Sequence, residues 1–480
     1  NAMGQGVSST QHLCHCRDAK EDRTGEVEDR CTHVRDDGSG MAASQSSCSP
    51  RPCGVGSDLT RSSEDEVDQM FSGRTRLSSL ARSDTGDPEA RAMLLEPLPL
   101  SQAASSTEFL ADKGLAELFR PDALGSRRAV SLGSMPDDED DNRQAGFTEK
   151  WEEFVLPTGM DSDRARLLDW LGDGLGLGWA CKKGNKRDSP NQDSFSILAV
   201  EDEFVLAGVY DGHGPRGHDV SQFVRESIVK LFLQHERRKA DPQAALYDSF
   251  LQCQDQISRG VPTLNARDSG STCTLVYVDL VTCQLTIAHV GDARGALFKC
   301  RRPAAAGGEP GVAETDELTI DHKPNLPKER ERIESASPPG RVLFDGYVNY
   351  RVFAKTGMQP GLNMSRALGD LMAHKDAGIT AEPDVRTMDL RPLLAECSEV
   401  SVLICTDGVW EFIPTSEAFR LTREVMEGGP RDMVNRLCLE AYERWMADTC
   451  GELSDDITAV CLQLHVALGD RRAHGCAKRS

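Results

Sequence analysis

Within Val209-Tyr-Asp-Gly-His-Gly-Pro-Arg-Gly-His218 the chain sets a carboxylate, a proton carrier and side-chain-free backbone close together. Asp211 could hold a hard cation through oxygen, and His213 could move a proton near neutral pH. Gly212 and Gly214 let the backbone approach a ligand that a Cβ would keep away. The stretch closes an apolar run, 204–209, and a strand that ends in a glycine-rich turn is by itself an ordinary turn. Chemistry requires partners for Asp211.

Carboxylates recur at the same kind of place, the end of an apolar run beside glycine. Asn191-Gln192-Asp193 opens one run, Val290-Gly291-Asp292 closes another, and Leu403-Ile-Cys-Thr-Asp407-Gly408 repeats the pattern, with Trp410-Glu411 just beyond. Ser454-Asp455-Asp456 leads into the last run. Like charges gathered without cationic neighbours in sequence call for a cation. Oxygen-only, sulfur-free donors suit Mg²⁺ or Mn²⁺.

The elements that would position these groups follow from periodicity. Ser194–Val200 and Glu203–Tyr210 read as strands joined by a tight acidic turn. Val220, Phe223, Val224, Ile228 and Leu231 recur at helical spacing, and Asp241-Pro242 caps a second helix carrying Leu246, Phe250 and Ile257. Strands are expected at Thr272–Asp279, Gln284–Val290, Arg294–Lys299, Val400–Cys405 and Thr458–Leu464, with helices near 416–426 and 430–447. Strand runs broken by helix pairs, without strict alternation, predict an α+β fold: a central antiparallel β-sandwich flanked by helix pairs.

The chain has 480 residues and a net charge of -22, which argues against a general nucleic-acid binder. Residues 1–150, rich in Ser, Asp, Glu, Arg and Gly, are expected to form a mostly disordered tail. A single domain is expected over 165–468, with 301–317 (Ala, Gly, Pro and Glu) as a surface insertion. Residues 105–120 could form a short amphipathic helix, and Ser131 and Ser134, near Arg127-Arg128, could be kinase sites. The sixteen cysteines show neither a zinc pattern nor a disulfide framework. No secretory signal or membrane-spanning run is evident, so a reducing cytosolic compartment is expected.

Asn1-Ala2 ahead of Met3 reads as an expression-tag remnant, so the native chain is expected to begin at Met3. Met3-Gly4-Gln-Gly-Val-Ser8 then matches the pattern for myristoylation of Gly4, and Cys14 and Cys16 could add palmitoyl chains. The expectation is attachment to the cytosolic face of a membrane, the plasma membrane in particular; a plain tail is the alternative.

The ordered set Asn191-Gln-Asp193, Asp211-Gly-His-Gly214, Ser269-Gly-Ser-Thr272, Val290-Gly-Asp-Ala-Arg294, Asp321-His-Lys-Pro324, Ser365-Arg-Ala-Leu-Gly-Asp370, Asp407-Gly408 and Ser454-Asp-Asp-Ile-Thr458 resembles the metal-dependent Ser/Thr phosphatases of the protein phosphatase 2C family, here in a membrane-anchored, protist-like form. The likeness runs from about 175 to 466. It implies a two-metal Mg²⁺ or Mn²⁺ site in which Asp211 bridges both ions, the Gly212 carbonyl binds one, and Asp407 and Asp455 complete the coordination. Asp193 would hold metal-bound water, and Asp292 with Glu411 a third, weaker ion. His213 would be the general acid, and a water activated by the metals would attack phosphoserine or phosphothreonine in line without a phosphoenzyme. Phosphoprotein substrates and a monomer are implied.

Three departures stand out. The family's phosphate-binding Arg position, five residues before Asp193, holds Asp188, so Arg187 or Lys186 would have to meet the phosphate after a one-residue slip; Gln192 replaces a Glu. Glu411 stands where Asp is common, and Asp456 where Asn is. The rival reading is a pseudophosphatase that keeps the fold as a binding module without phosphate capture. Arg294 and Arg366 read as loop-fixing ion pairs, and His218 and His289 as structural. Residues 341–362 take the place of the family's variable flap, where Tyr347, Tyr350 and Phe353 could line a peptide groove or simply pack.

Overall fold

The structure is a computed structural model that describes residues 118–136, 147–157, 160, 162–186, 189–303 and 312–469. By its contacts the chain divides into Asn1–Ser62 and Ser63–Ser480, and every described residue lies in the second unit. Gly4, Cys14, Cys16 and Arg187 fall outside the described residues, as does nearly all of 105–120.

Two antiparallel sheets form the middle of the domain. The larger contains β1 (Ala129–Ser134), β2 (Glu152–Val155), β4 (Ser194–Val200), β5 (Phe204–Tyr210), β8 (Cys273–Asp279), β9 (Gln284–Val290) and β16 (Asp384–Asp389), in the order β16-β9-β8-β5-β4-β1-β2. The smaller contains β3 (Leu177–Lys182), β10 (Arg294–Arg301), β11 (Ala313–Glu317), β17 (Cys397–Cys405) and β18 (Ile457–Gln463), in the order β11-β10-β17-β18-β3. Side chains alternate across each strand. One face of both sheets therefore meets in a shared core: Ile197, Val205 and Ile287 from the larger sheet, Trp179, Leu297, Ile404 and Val460 from the smaller.

The outer faces are covered by helix pairs. Helices α1 (Gly217–Gln234) and α2 (Pro242–Arg259) lay Val220, Val224, Ile228, Phe232, Leu246 and Phe250 over Leu206 and Tyr210. Asp241 caps α2 through the Ala244 amide (3.0 Å), and Pro242 needs no donor in the first turn. On the other side α3 (Thr415–Glu424) and α4 (Pro430–Asp448) seat Phe419, Leu437 and Cys438 on Phe298, Leu403 and Cys405. The architecture is the expected α+β sandwich with flanking helix pairs. Three short strands, β12 (Arg341–Phe344), β13 (Tyr350–Phe353) and β14 (Pro360–Leu362), build the flap. Phe353 is buried there, whereas Tyr347 is exposed.

Two expected boundaries are corrected. The domain does not start near 165, and 1–150 is not tail throughout. β1 sits between β4 and β2, paired with both, and is buried along its whole length. Six residues of Ala-Val-Ser-Leu-Gly-Ser are too short to show an apolar pattern against polar flanks, yet two neighbouring strands satisfy both of their edges. Ser131 and Ser134 are buried in it and are not presented to a kinase. Nor is 301–317 wholly an insertion, because β11 (Ala313–Glu317) pairs with β10 from Ala296 to Cys300. Its acids face cations rather than core: Asp316 bonds Lys299 (2.6 Å), and Glu314 bonds Arg301 (2.8 Å). A charged edge strand is composed like a loop.

Candidate active site

The aspartates singled out from the sequence converge at one end of the sandwich. Asp211 follows β5, Asp193 precedes β4, Asp407 follows β17, Asp455 and Asp456 precede β18, and Asp292 lies between β9 and β10. Because adjacent antiparallel strands alternate in direction, strand starts and strand ends meet on the same edge. The negative fields of Asp407, Asp193, Asp455 and Asp292 all act on Asp211 and, after burial itself, push its carboxyl well above the ordinary range. Asp407 is pushed up to about 7, by burial first and then by Asp292 and Asp455. Burial and Asp456 raise Asp193, against hydrogen bonds from Thr458 and Thr406.

Local hydrogen bonds explain the motif residues. Thr272 brackets the Asp211 backbone: its Oγ1 accepts from the Asp211 amide (3.0 Å) and its own amide donates to Asp211 O (2.8 Å). Gln192 joins three loops, its amide donating to Asp456 Oδ2 (2.9 Å), its Nε2 to Gly214 O (2.8 Å), and its carbonyl accepting from the Gly212 amide (3.2 Å). Thr406 Oγ1 donates to Asp193 Oδ2 (2.8 Å). Asp407-Gly408 packs so tightly on the last loop that a Cβ at Gly408 would lie 2.0 Å from Asp456 O.

His213 has a partner that the sequence alone did not assign. Its Nε2 lies 2.6 Å from Asp370 Oδ2, although the two residues are 157 positions apart. An ionised carboxylate only accepts, so this nitrogen carries the proton. The Asp370 amide is tied to Ser269 O (2.8 Å), and the residue adopts a left-handed conformation, φ 43°. The pair closes over β7 (Gly270–Ser271), which lies between β6 (Gly212–His213) and β15 (Leu368–Gly369). A Cβ at Gly270 would stand 2.2 Å from Asp370 Oδ2 and 2.7 Å from His213 Nε2, so only glycine leaves room. Burial works to lower the His213 pKa, but Asp370 outweighs it and the net shift is upward. His213 Nδ1 is buried and has no hydrogen-bond partner among the described residues.

Two lysines answer the acidic crowd. Lys186 Nζ is bonded to the Asp455 carboxylate, with Asp456 Oδ2 3.9 Å away. Lys323 Nζ lies 2.5 Å from Asp292 Oδ2. Burial works to lower both lysine pKa values, and the aspartates more than reverse it. Glu411 is exposed on the turn after Asp407–Trp410, and its amide donates to Asp407 O (2.9 Å).

The residues fit a divalent cation. Asp292 Oδ1 is buried without a hydrogen-bond partner among the described residues, and the neighbouring carboxyls are raised by burial and then by one another. All are hard oxygen donors of the kind Mg²⁺ and Mn²⁺ take. Arg294 and Arg366 fix loops, as expected. Arg294 bonds Asp321 (2.9 and 2.8 Å), and Arg366 bonds Glu329 and Asp384.

Comparison with known proteins gives the family. The family model for protein phosphatase 2C matches residues 182–450. The chain is 34% identical over 297 residues to "Probable protein phosphatase 2C 48" of Oryza sativa subsp. japonica, covering 57% of this chain and 80% of that protein. It is 32% identical over 298 residues to "Probable protein phosphatase 2C 34" of Arabidopsis thaliana, covering 57% and 77%. Among solved structures, a serine-threonine phosphatase 2C from Toxoplasma gondii superposes with a TM-score of 0.48 at 19% identity, covering 60% of this chain and 94% of that one. On the family model and the sequence relatives, the chain belongs to the protein phosphatase 2C family.

Proposed function

We propose that this chain hydrolyses phosphoserine and phosphothreonine in proteins, using Mg²⁺ or Mn²⁺ held at the Asp211 end of the sandwich. The observation that carries the proposal is the convergence of Asp193, Asp211, Asp407, Asp455 and Asp292, which crowds negative charge beyond what Lys186 and Lys323 neutralise. Asp211, the Gly212 carbonyl, Asp407 and Asp455 would hold two ions, and Asp292 a third; Glu411, expected to help at the third, is exposed four residues after Asp407. When bound, such ions lower the pKa of water and neutralise phosphoryl oxygens.

The remaining steps belong to this chain's own groups. Asp193, kept in place by Thr406, would orient the attacking water. His213, its Nε2 proton held by Asp370, would deliver a second proton from Nδ1 of its imidazolium form, which its raised pKa favours, to the departing serine or threonine oxygen. Lys186, now bonded to Asp455, would serve the substrate phosphate on leaving it, and Arg187 is the alternative cation. A thiol nucleophile is disfavoured at Cys405 and Cys461: burial pushes the first well up and the second up to about 12. What speaks against a binding-only module is that every carboxylate of the set is present and gathered at one edge.

Turnover of a phosphothreonine peptide with Mn²⁺, absent without metal and lost in Asp211→Asn, is the expected result; metal-independent turnover, or none, sinks the proposal. The proposed membrane tether rests on the Met3-Gly4…Ser8 pattern with Cys14 and Cys16. Among the described residues no helix is long and apolar enough to cross a membrane. Fractionation of an untagged Gly4→Ala chain tests the tether, and unchanged membrane association would count against lipidation.

A further inference from the structure

A third lysine near the site differs in kind from Lys186 and Lys323. Lys150 lies in sequence before the matched family region, yet it is only 4% exposed. Its Nζ donates to two backbone carbonyls, Asn191 O (3.0 Å) and Asp193 O (2.6 Å). A buried ammonium is costly unless neighbouring groups compensate it. Here two backbone carbonyl dipoles do so.

The segment that delivers Lys150 is itself anchored. The Lys150 amide donates to Cys181 O and the Lys183 amide to Thr148 O, both at 2.8 Å, along the end of β3. Glu149 pairs with Lys182, and Phe147 stacks on Tyr442 with centroids 4.6 Å apart. Beyond it, Glu152 accepts from Trp179 Nε1 (2.6 Å) and from Arg431 (3.2 Å). The segment is therefore anchored on both sides of Lys150, whose ammonium bonds both ends of the Asn191–Asp193 loop.

That loop is the joint of the site. Between the two carbonyls that Lys150 grips sits Gln192, which bonds Asp456, Gly212 and Gly214. Lys186 and Lys323 lie on carboxylates that a metal would compete for, whereas Lys150 bonds backbone carbonyls.

We propose that Lys150 is a positioning residue: a fixed cation, supplied from upstream of the phosphatase motifs, that sets the Asn191–Asp193 loop and through it the affinity of the site for divalent cations. This rests on the proposed metal site. Groups that orient a metal site from outside its ligands change affinity by about 10–100-fold when lost.

The test uses the 480-residue chain as wild type, Lys150→Met, Lys150→Gln and Asp211→Asn. Isothermal calorimetry reads Mn²⁺ binding, and hydrogen exchange reads the amides of 191–193. In Lys150→Met, Mn²⁺ binding is expected to weaken by about 10-fold or more, with faster exchange at 191–193 and an intact far-UV spectrum. Lys150→Gln, which keeps one donor without the charge, should fall between, and it carries the test if the methionine variant does not fold. Wild-type Mn²⁺ affinity with unchanged exchange in a folded variant overturns the proposal. Equal Mn²⁺ binding by wild type and Asp211→Asn instead removes the metal site, and this inference with it.

Discussion

Two places in this domain set histidine against aspartate, and they are built for different ends. At one edge His213 meets Asp370 at 2.6 Å, its other ring nitrogen without a partner, among carboxyls that raise one another. In the other, His289 and His322 stack with centroids 4.3 Å apart beside Asp384, a trio whose donor atoms are close enough to hold a metal. There the hydrogen bonding is largely committed, although His322 Nε2 makes no hydrogen bond among the described residues. The Gly291 amide donates to His322 Nδ1 (3.1 Å), which obliges the proton onto Nε2, facing Asp384 at 3.4 Å. His289 Nε2 donates to Ile320 O (2.9 Å), and Arg366 already bonds Asp384. Ligand types in proximity do not make a metal site; lone pairs left without protons or partners do.

Substitution separates the two places most strongly at the carboxylates. Asp211→Asn or Asp407→Asn should lower Mn²⁺-supported kcat/KM by roughly a hundredfold to a thousandfold or more. The same changes should raise the melting temperature of the metal-free protein, because a crowded charge is gone. A fall in metal-free stability would mean the cluster is not short of cations.

The next largest effect concerns proton delivery. His213→Gln should reduce kcat on a phosphoserine peptide by roughly 10²-fold or more, and far less on p-nitrophenyl phosphate, whose leaving group needs no proton. Asp370→Asn should show the same substrate bias with a smaller loss. Equal losses on both substrates would deny His213 the role of acid.

At the other place the effect is on stability. His322→Leu should lose about 2 kcal/mol through the orphaned Gly291 amide while keeping Mn²⁺ affinity. The smallest effect is in pH. His289 is held down to about 4 by burial and by His322, against an ordinary value of 6.5. Its folded-state pKa lies below the unfolded one, so the unfolded chain takes up the proton first. Stability is untouched above about 6.5 and falls between there and about 4, by at most about 1.4 kcal/mol per pH unit. Urea titrations of His289→Asn should be flatter across that window.

The legible part of the molecule was the part with local signals. Strand alternation gave β4, β5, β8 and β9 nearly to the residue, and Asp241-Pro242 announced α2. The aspartates were visible because a carboxylate beside glycine at a strand end is unusual in repetition. Long-range partners were not: Asp370 reaches His213 only through the pairing of β6, β7 and β15. β1 was hidden because six residues carry too little periodicity, and β11 because ion pairs rather than burial hold it. Lys150 is one cation in a polar stretch, and its burial depends on where Cys181 and Asn191 place their carbonyls and side chains.

The most direct measurement is calorimetric Mn²⁺ titration of wild type, Asp211→Asn and His322→Leu side by side. Binding by wild type and His322→Leu that disappears in Asp211→Asn is the expected outcome. Binding retained in Asp211→Asn but lost in His322→Leu would place the metal at the histidines and contradict the acidic site.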